Sequence, residues 1–290
     1  MATAGHSSPE LFAAVALEAR GRLGDFQGQG LANMAWAFAK AGCADEELFR
    51  ALAREVPPRL GGMSTQELAN FAWAFATAGH AAPELFEALA ATCVPRLEQF
   101  KEQEIANLAW AYATTGVDHP LLFSTIAFEA ERRIQHFAPQ GLANLAWALA
   151  ILLHQSPISA AVSSKAGDVT TTSSTGGDSE PRGDVAVGGR SGDSCSPPVS
   201  RYRGYFTALA HEISEGGRAS ELTAQGLANV AWAFATSGES HPAAFNALGK
   251  ATLGRLPDLS PQGLANVAWA FATAGHANEL FGPLSIELQV

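Results

Sequence analysis

The chain is poor in cysteine and in long apolar runs, and each shortage excludes a class of protein. Its three cysteines, Cys43, Cys93 and Cys195, lie far apart and form no Cys-x-x-Cys motif. We therefore expect neither a disulfide framework nor a structural zinc site, as is typical of a reducing compartment. No apolar run approaches the roughly 20 residues of a membrane-spanning helix. The sequence thus predicts no membrane partner.

Positive charge is also scarce. The chain has 18 lysine and arginine residues against 28 aspartate and glutamate residues, for a net charge of −10. Because nucleic-acid binders usually carry a basic surplus, this balance counts against simple electrostatic binding of RNA or DNA. The N-terminal segment Met1–Pro9 lacks the pattern of a signal or transit peptide. Neither end reads as a polar capping repeat, which leaves open that the sequence is part of a longer protein.

Motifs of catalysis and metal binding are missing as well. The eight histidines are scattered, and the sequence contains no His-Glu-x-x-His, no phosphate-binding P-loop and no Gly-x-Ser-x-Gly. We expect that the protein is not an enzyme and that it uses no cofactor, no metal and no small-molecule substrate.

One motif, by contrast, is abundant. Residues 29–39 read Gln-Gly-Leu-Ala-Asn-Met-Ala-Trp-Ala-Phe-Ala, and close copies recur along the chain. All six tryptophans occupy the same place in these copies, at Trp36, Trp73, Trp110, Trp147, Trp232 and Trp269. Four of the five intervals between them are 37 residues and the fifth is 85. A fixed period in this range indicates a repeat array.

The motif predicts an inner helix that is covered on both faces. At about 100° per residue, Leu31, Ala35 and Phe38 share one face, whereas Trp36 points roughly the other way. A helix that is apolar on two faces needs neighbours on both. Ser64 followed by Glu67 predicts a capping box at the start of one copy. A glycine six residues after the tryptophan predicts a left-handed helix end in five copies, at Gly42, Gly79, Gly116, Gly238 and Gly275.

A second, outer helix alternates with the first. Residues 83–90 begin with proline and place Leu85, Phe86 and Leu89 on one apolar face. Matching segments begin at Pro9, Glu46, Pro120, Tyr205, Pro242 and Asn278. The predicted fold class is therefore all-α, an α-solenoid of tandem helical hairpins interrupted by one disordered insertion.

The interruption lies in the fourth unit. Residues 155–200 are rich in Ser, Gly, Thr, Asp and Pro, a composition typical of disorder. Removing about 48 residues restores the register of the repeat, so this segment is either a true insertion or a translated intron. We predict a flexible tail at 1–8, helical repeats at 9–154 and further repeats at 201–290.

Three polar residues recur in every unit. An asparagine stands three residues before each tryptophan, at Asn33, Asn70, Asn107, Asn144, Asn229 and Asn266. A glutamine stands seven before it, at Gln29, Gln66, Gln103, Gln140, Gln225 and Gln262. An arginine stands fourteen before it, at Arg22, Arg59, Arg96, Arg133, Arg218 and Arg255.

Each of these ladders has a structural and a functional interpretation. Structurally, the asparagines would bond the backbone of a neighbouring hairpin, the glutamines would satisfy the first turn, and the arginines would bond the last carbonyls of their own helix or a glutamate. Functionally, the asparagines and arginines would line a groove and contact single-stranded RNA once per unit. The tryptophans could stack bases, although their alanine neighbours favour packing in the core.

The motif Gln-x-Leu-Ala-Asn-x-Ala-Trp-Ala-Phe-Ala in tandem 37-residue units resembles the octotricopeptide and heptatricopeptide repeats. Those repeats are similar to the ones in FAST-kinase-like leucine-rich proteins, which carry a RAP domain and act on organellar transcripts. The resemblance covers nearly the whole chain outside residues 155–200. It departs in the acidic charge and in the lack of a RAP-like segment and of a targeting peptide.

The resemblance implies a non-enzymatic RNA-binding protein of organellar RNA processing, stability or translation, located in the mitochondrial matrix or a plastid. Single-stranded RNA is then the expected partner, with protein partners in addition. The alternative is an armadillo-like or HEAT-like protein-binding scaffold that contacts no nucleic acid, since a net charge of −10 suits a basic protein partner.

Overall fold

The computed structural model describes residues 8–80, 82–155, 202–239 and 241–276. These residues form twelve α-helices joined by short 3₁₀ helices and turns, with no β-strand among them. The helices are α1 Pro9–Arg20, α2 Gly28–Lys40, α3 Glu46–Glu55, α4 Thr65–Thr77, α5 Pro83–Cys93, α6 Glu102–Thr115, α7 Pro120–Arg132, α8 Pro139–Gln155, α9 Arg203–Ser214, α10 Ala224–Ser237, α11 Pro242–Leu253 and α12 Pro261–Thr273. None of the described helices is long and apolar enough to span a membrane.

The even-numbered helices form the inner row of the array. Each packs against the next, from α2 through α4, α6, α8 and α10 to α12. The odd-numbered helices form an outer row, with contacts from α1 to α3, α3 to α5, α7 to α9 and α9 to α11. This stacking of neighbours confirms the predicted all-α solenoid of helical hairpins.

Alanines and aromatic side chains build the core. The repeated Ala35, Ala72 and Ala109 are fully buried, so successive inner helices approach closely. Leu85, Phe86 and Leu89 of α5 are buried as predicted. Outer and inner helices meet through edge-to-face rings at 4.9–5.2 Å, in the pairs Phe12–Phe38, Phe49–Phe75, Phe86–Tyr112 and Phe245–Phe271.

Helix ends follow the sequence signals. The Ser64 hydroxyl accepts from the Glu67 amide, and the Glu67 carboxylate accepts from the Ser64 amide, which confirms the capping box. All five glycines predicted at the ends of inner helices have positive φ, between 65° and 77°. Because a side chain is strained in this conformation, glycine fixes where the inner helix stops.

The structure adds one element that the sequence did not predict. A short 3₁₀ helix stands between each outer helix and the next inner helix. These turns are Leu23–Asp25, Pro57–Gly62, Val94–Gln99, Ile134–His136, Arg218–Glu221 and Leu256–Asp258. They carry or adjoin the repeated arginines, and their carbonyl groups point toward the following unit.

The array keeps its register on both sides of the interrupted unit. Helix α8 packs on α10, and α7 packs on α9. The Tyr205 hydroxyl donates to the Leu142 carbonyl at 3.1 Å, across 63 residues of chain. The segment predicted to be disordered lies outside the described residues apart from Gln155, which ends α8. The predicted tail, apart from Ser8, and the outer helix expected at Asn278 also lie outside them.

Candidate nucleic-acid interface

Each inner helix carries a glutamine, an asparagine and a tryptophan on one stripe. In α6 these are Gln103, Asn107 and Trp110, at positions i, i+4 and i+7, which face the same side of a helix. The glutamine is the second residue of its helix in every unit. Six helices side by side therefore repeat the same stripe at the spacing of packed helices, about 8–10 Å.

The amide groups of this stripe are open to ligands. All six glutamines and Asn33 are exposed, and the other five asparagines are half-buried. In the last unit the Gln262 amide donates to Asn266 Oδ1 at 3.0 Å. In the five earlier units neither side-chain amide bonds to any residue that the structure describes.

Two structural interpretations of the ladders are thus wrong. The asparagines do not bond the backbone of a neighbouring hairpin, because they project from mid-helix between backbone groups that the helix already satisfies. The glutamines do not cap their helices, because none of their side chains bonds a backbone N–H in the described chain. Hydroxyls of Ser64, Thr223 and Ser260 cap three of the six inner helices instead.

The stripes of neighbouring helices line a groove of about 690 Å³, here called the amide groove. It runs from α4 across α6, α8 and α10 to the turn before α12. Its lining includes Trp73, Asn107, Trp110, Gln140, Asn144, Gln225, Asn229, Arg255 and Asp258. A smaller recess of about 260 Å³ between α6 and α8 shares Asn107, Gln140 and Asn144 with it. The groove therefore brings together the asparagine ladder of three successive units.

A larger depression lies elsewhere but carries none of the ladders. It has a volume of about 900 Å³, lies between α9 and α11, and is lined by residues such as Glu215, Asn246 and Lys250.

The amide groove has little net charge. Among its lining residues, Arg255 supplies a positive charge and Asp258 a negative one, while the rest are neutral. The groups that this groove offers to a ligand are side-chain amides and indole rings. A surface of this kind reads the shape and edges of a ligand more than its charge.

The tryptophans pack against one another along the stripe. Ring centroids are 6.5 Å apart for Trp36–Trp73, 6.4 Å for Trp73–Trp110 and 6.5 Å for Trp232–Trp269. These are contact distances for aromatic pairs, so no base fits between them. Trp269 is nevertheless exposed and the other five rings are half-buried. Trp73 and Trp110 present surface to the amide groove.

The repeated arginines bond the preceding unit. Arg59 Nη1 donates to the carbonyls of Leu23 and Phe26 at 3.2 and 3.1 Å. Arg96 Nη2 donates to the Met63 carbonyl at 2.9 Å. The acceptors lie at the 3₁₀ turn of the unit before, so each guanidinium joins two units.

The pattern continues along the chain, including across the interrupted unit. Arg133 Nη1 donates to the Phe100 carbonyl at 2.8 Å, and Arg218 Nη2 to that of Phe137 at 2.6 Å. Arg255 Nη2 donates to the Ser220 carbonyl at 3.2 Å. The expected bond to the arginine's own helix is wrong, because the free carbonyls that the guanidinium reaches belong to the previous turn. RNA contact by the arginines stays a prediction.

Arg22 shows what the first copy does without a preceding unit in the described chain. It is exposed and pairs with Glu18 and Asp25, each at 3.3 Å. These carboxylates raise the pKa of the Arg22 guanidinium, Asp25 more than Glu18. The expected pairing with a glutamate is thus confirmed at Arg22. Arg133 and Arg218 pair with glutamates too, in addition to their bonds to the preceding unit.

The remaining reactive groups serve packing. Burial raises the pKa of the Cys93 thiol to about 12, which makes it unreactive at neutral pH. Within the described residues, no three His, Cys, Asp or Glu side chains come together in a way that could hold a metal ion. The amide groove is therefore the candidate site.

Comparison with known proteins adds no relative. No protein-family model matches the chain, and no curated protein matches its sequence.

Proposed function

We propose that this chain is a non-enzymatic helical-repeat protein that binds single-stranded RNA through the amide groove. The observation that carries the proposal is the row of asparagine amides, repeated in six units and left without an internal bond in the first five. Asn107, Asn144 and Asn229 would make the central contacts. The flanking Asn33, Asn70 and Asn266 extend the row at both ends.

The asparagines are not explained by stability. Asparagine is a poorer helix former than alanine by roughly 0.5 kcal/mol, and it stands here in mid-helix. No hydrogen bond within the described chain compensates this cost in units one to five. A residue that lowers stability and nevertheless recurs in every unit is typical of a functional surface.

A repeated amide suits a chain ligand. Stacked hairpins place equivalent side chains in a row, and helical-repeat proteins of this kind contact about one base per repeat. Six units would then cover roughly six nucleotides. Organellar RNA processing, stability or translation, in a mitochondrion or plastid, belongs to the proposal through the resemblance of the motif.

The weak charge of the groove sets the expected mode of binding. Since the chain carries a net charge of −10 and the groove is nearly neutral, few phosphates are neutralised on binding. We expect affinity from base edges and a shallow dependence on salt, equivalent to about one or two phosphate contacts.

The test is fluorescence anisotropy of the purified chain with a random pool of labelled single-stranded RNA across a salt series. The proposal predicts saturable binding, and the logarithm of the binding constant should fall only slowly as the logarithm of the salt concentration rises. A steep slope would instead assign the affinity to the arginines and phosphates. Absence of binding even at about 50 mM salt would refute the proposal.

A protein-binding scaffold is the second candidate, and the net charge of −10 favours it. The same amides could bond the backbone of an extended basic peptide. A pull-down from extract that resists nuclease, together with the absence of RNA crosslinks, would favour this candidate over RNA.

A further inference from the structure

We infer that the amide groove selects runs of a single base, and that this base is adenine. The inference rests on the proposed function, since it names the RNA sequence that the same site would prefer. Three observations carry it, namely the sameness of the amides in every unit, the chemistry of the amide group and the indole surface beside it.

The reading side chains do not vary along the array. Each unit presents glutamine and asparagine at the same two positions of its inner helix, without one exception among the six. When one repeat reads one base with two or three side chains, a varied sequence needs varied side chains. Identical side chains in every unit therefore select the same base at every position.

The amide group matches the edge of adenine. An asparagine or glutamine amide offers one acceptor and one donor side by side, which pair with the N6 amino group and the N7 acceptor of adenine. In the central units Asn107, Asn144 and Asn229 present such amides to the groove with no bond to the described protein. Unstacked bases of single-stranded RNA expose this edge.

The groove has few of the groups that the other bases would favour. Guanine is read best by arginine or lysine, and cytosine by a carboxylate acceptor. The lining supplies one of each, Arg255 and Asp258, and both stand at one end of the groove beside the turn before α12. Uracil also offers a donor and an acceptor, but its single ring would cover less of the neighbouring indole surface than a purine does.

An indole ring completes the site for a purine. Trp110 lies three residues after Asn107, one helical turn along the same stripe, and both line the amide groove. Base stacking on an aromatic side chain contributes about 1–3 kcal/mol per base in single-strand binders. A purine gains more from this surface than a pyrimidine because its ring system is larger.

The experiment compares labelled 12-nucleotide homopolymers of A, U and C, bound to the full chain and measured by anisotropy at one salt concentration. We expect the A-tract to bind at least about tenfold more tightly than the U-tract or C-tract, because a bidentate amide pair discriminates by about 5- to 150-fold. Affinity for A-tracts should stop rising beyond about six nucleotides, the reach of six units.

An A-tract built from 7-deazaadenosine isolates the proposed contact, because it lacks the N7 acceptor and keeps the base otherwise unchanged. We expect its affinity to fall at least about fivefold below that of the ordinary A-tract. Equal binding of all three homopolymers, tighter binding of the U-tract, or no effect of the 7-deaza base would each overturn the inference and leave the proposed RNA binding intact. No binding of any RNA would overturn both.

Discussion

Asparagine and arginine recur in this chain with equal regularity, yet their side chains have different surroundings. Their positions could be predicted from the sequence, whereas their partners could not. Arg59 bonds carbonyls 33 to 36 residues earlier in the chain, so its role depends on how units stack and on a 3₁₀ turn with no clear sequence signal. The sequence likewise does not show that the Asn107 amide lacks a hydrogen-bond partner, because this depends on which groups lie near it in the folded array.

Because most of the repeated arginines bond the preceding unit and Arg22 does not, we expect members of one ladder to differ in their contribution to stability. Arg59→Ala removes hydrogen bonds from a charged donor to three backbone carbonyls, so we expect unfolding free energy to fall by about 1.5–3 kcal/mol. Arg22→Ala is the matched control, because Arg22 makes only exposed ion pairs and its loss should leave the free energy of unfolding almost unchanged. Urea denaturation of both variants measures this, and equal effects would contradict the assigned role.

Acid should weaken the fold through His80. Burial against Phe49 and Phe75 lowers the pKa of His80, with the charge of Glu46 opposing the shift and that of Arg50 adding to it. Because the folded pKa lies below the ordinary value of about 6.5, the unfolded chain binds more protons in acid. Stability is therefore complete above that value and declines as the pH falls below it.

The variant His80→Phe keeps an aromatic ring in the same place and removes the titrating group. We expect the Tm of the original chain to fall between about pH 7.5 and about pH 5, and that of the variant to fall less. Thermal denaturation followed by circular dichroism at each pH is the measurement, with the exposed His211→Phe as control. Parallel Tm profiles for the original chain and His80→Phe would show that His80 does not contribute.

At the scale of elements, the inner helix was the most predictable part of the fold. Its start at Ser64, its end at Gly79 and its buried Leu68 all follow from capping chemistry and a period of 3.6 residues. The 3₁₀ turns were missed because they are short and depend on contacts with the neighbouring unit.

The interrupted unit is held together by elements on both sides of it. Contacts of α8 with α10 and of α7 with α9, and the bonds of Tyr205 and Arg218, all use residues outside 156–200. We therefore expect that replacing 156–200 by about eight Gly and Ser residues leaves the array folded. A shorter loop has a smaller entropic cost of closure, so the free energy of unfolding should rise by up to about 1.5 kcal/mol.

Thermal denaturation and RNA anisotropy of the shortened chain check this expectation. Its Tm should equal or exceed that of the original chain, and its RNA affinity should be retained. A lower Tm would show that residues 156–200 contribute contacts of their own to the array.

At the scale of the whole molecule, an acidic chain presents a nearly neutral groove built from one repeated stripe. Composition alone counts against RNA, because it averages over surfaces that do not touch the ligand. The stripe could be predicted from the spacing of glutamine, asparagine and tryptophan. Its proposed role in binding rests in addition on which amides the fold leaves without a partner, and this the sequence does not show.

The most direct test replaces three central amides at once and follows two quantities. The variant Asn107→Ala/Asn144→Ala/Asn229→Ala should bind random single-stranded RNA at least about tenfold more weakly, because each lost hydrogen bond contributes about 0.5–1.5 kcal/mol. Its Tm should not fall, since alanine favours the helix and no internal bond is lost. Asn246→Ala, an exposed position on α11, is the control: it should leave the RNA affinity unchanged and, like the triple variant, should not lower the Tm. A lower Tm with unchanged RNA affinity would show that the asparagines hold the fold together and would contradict the proposed interface.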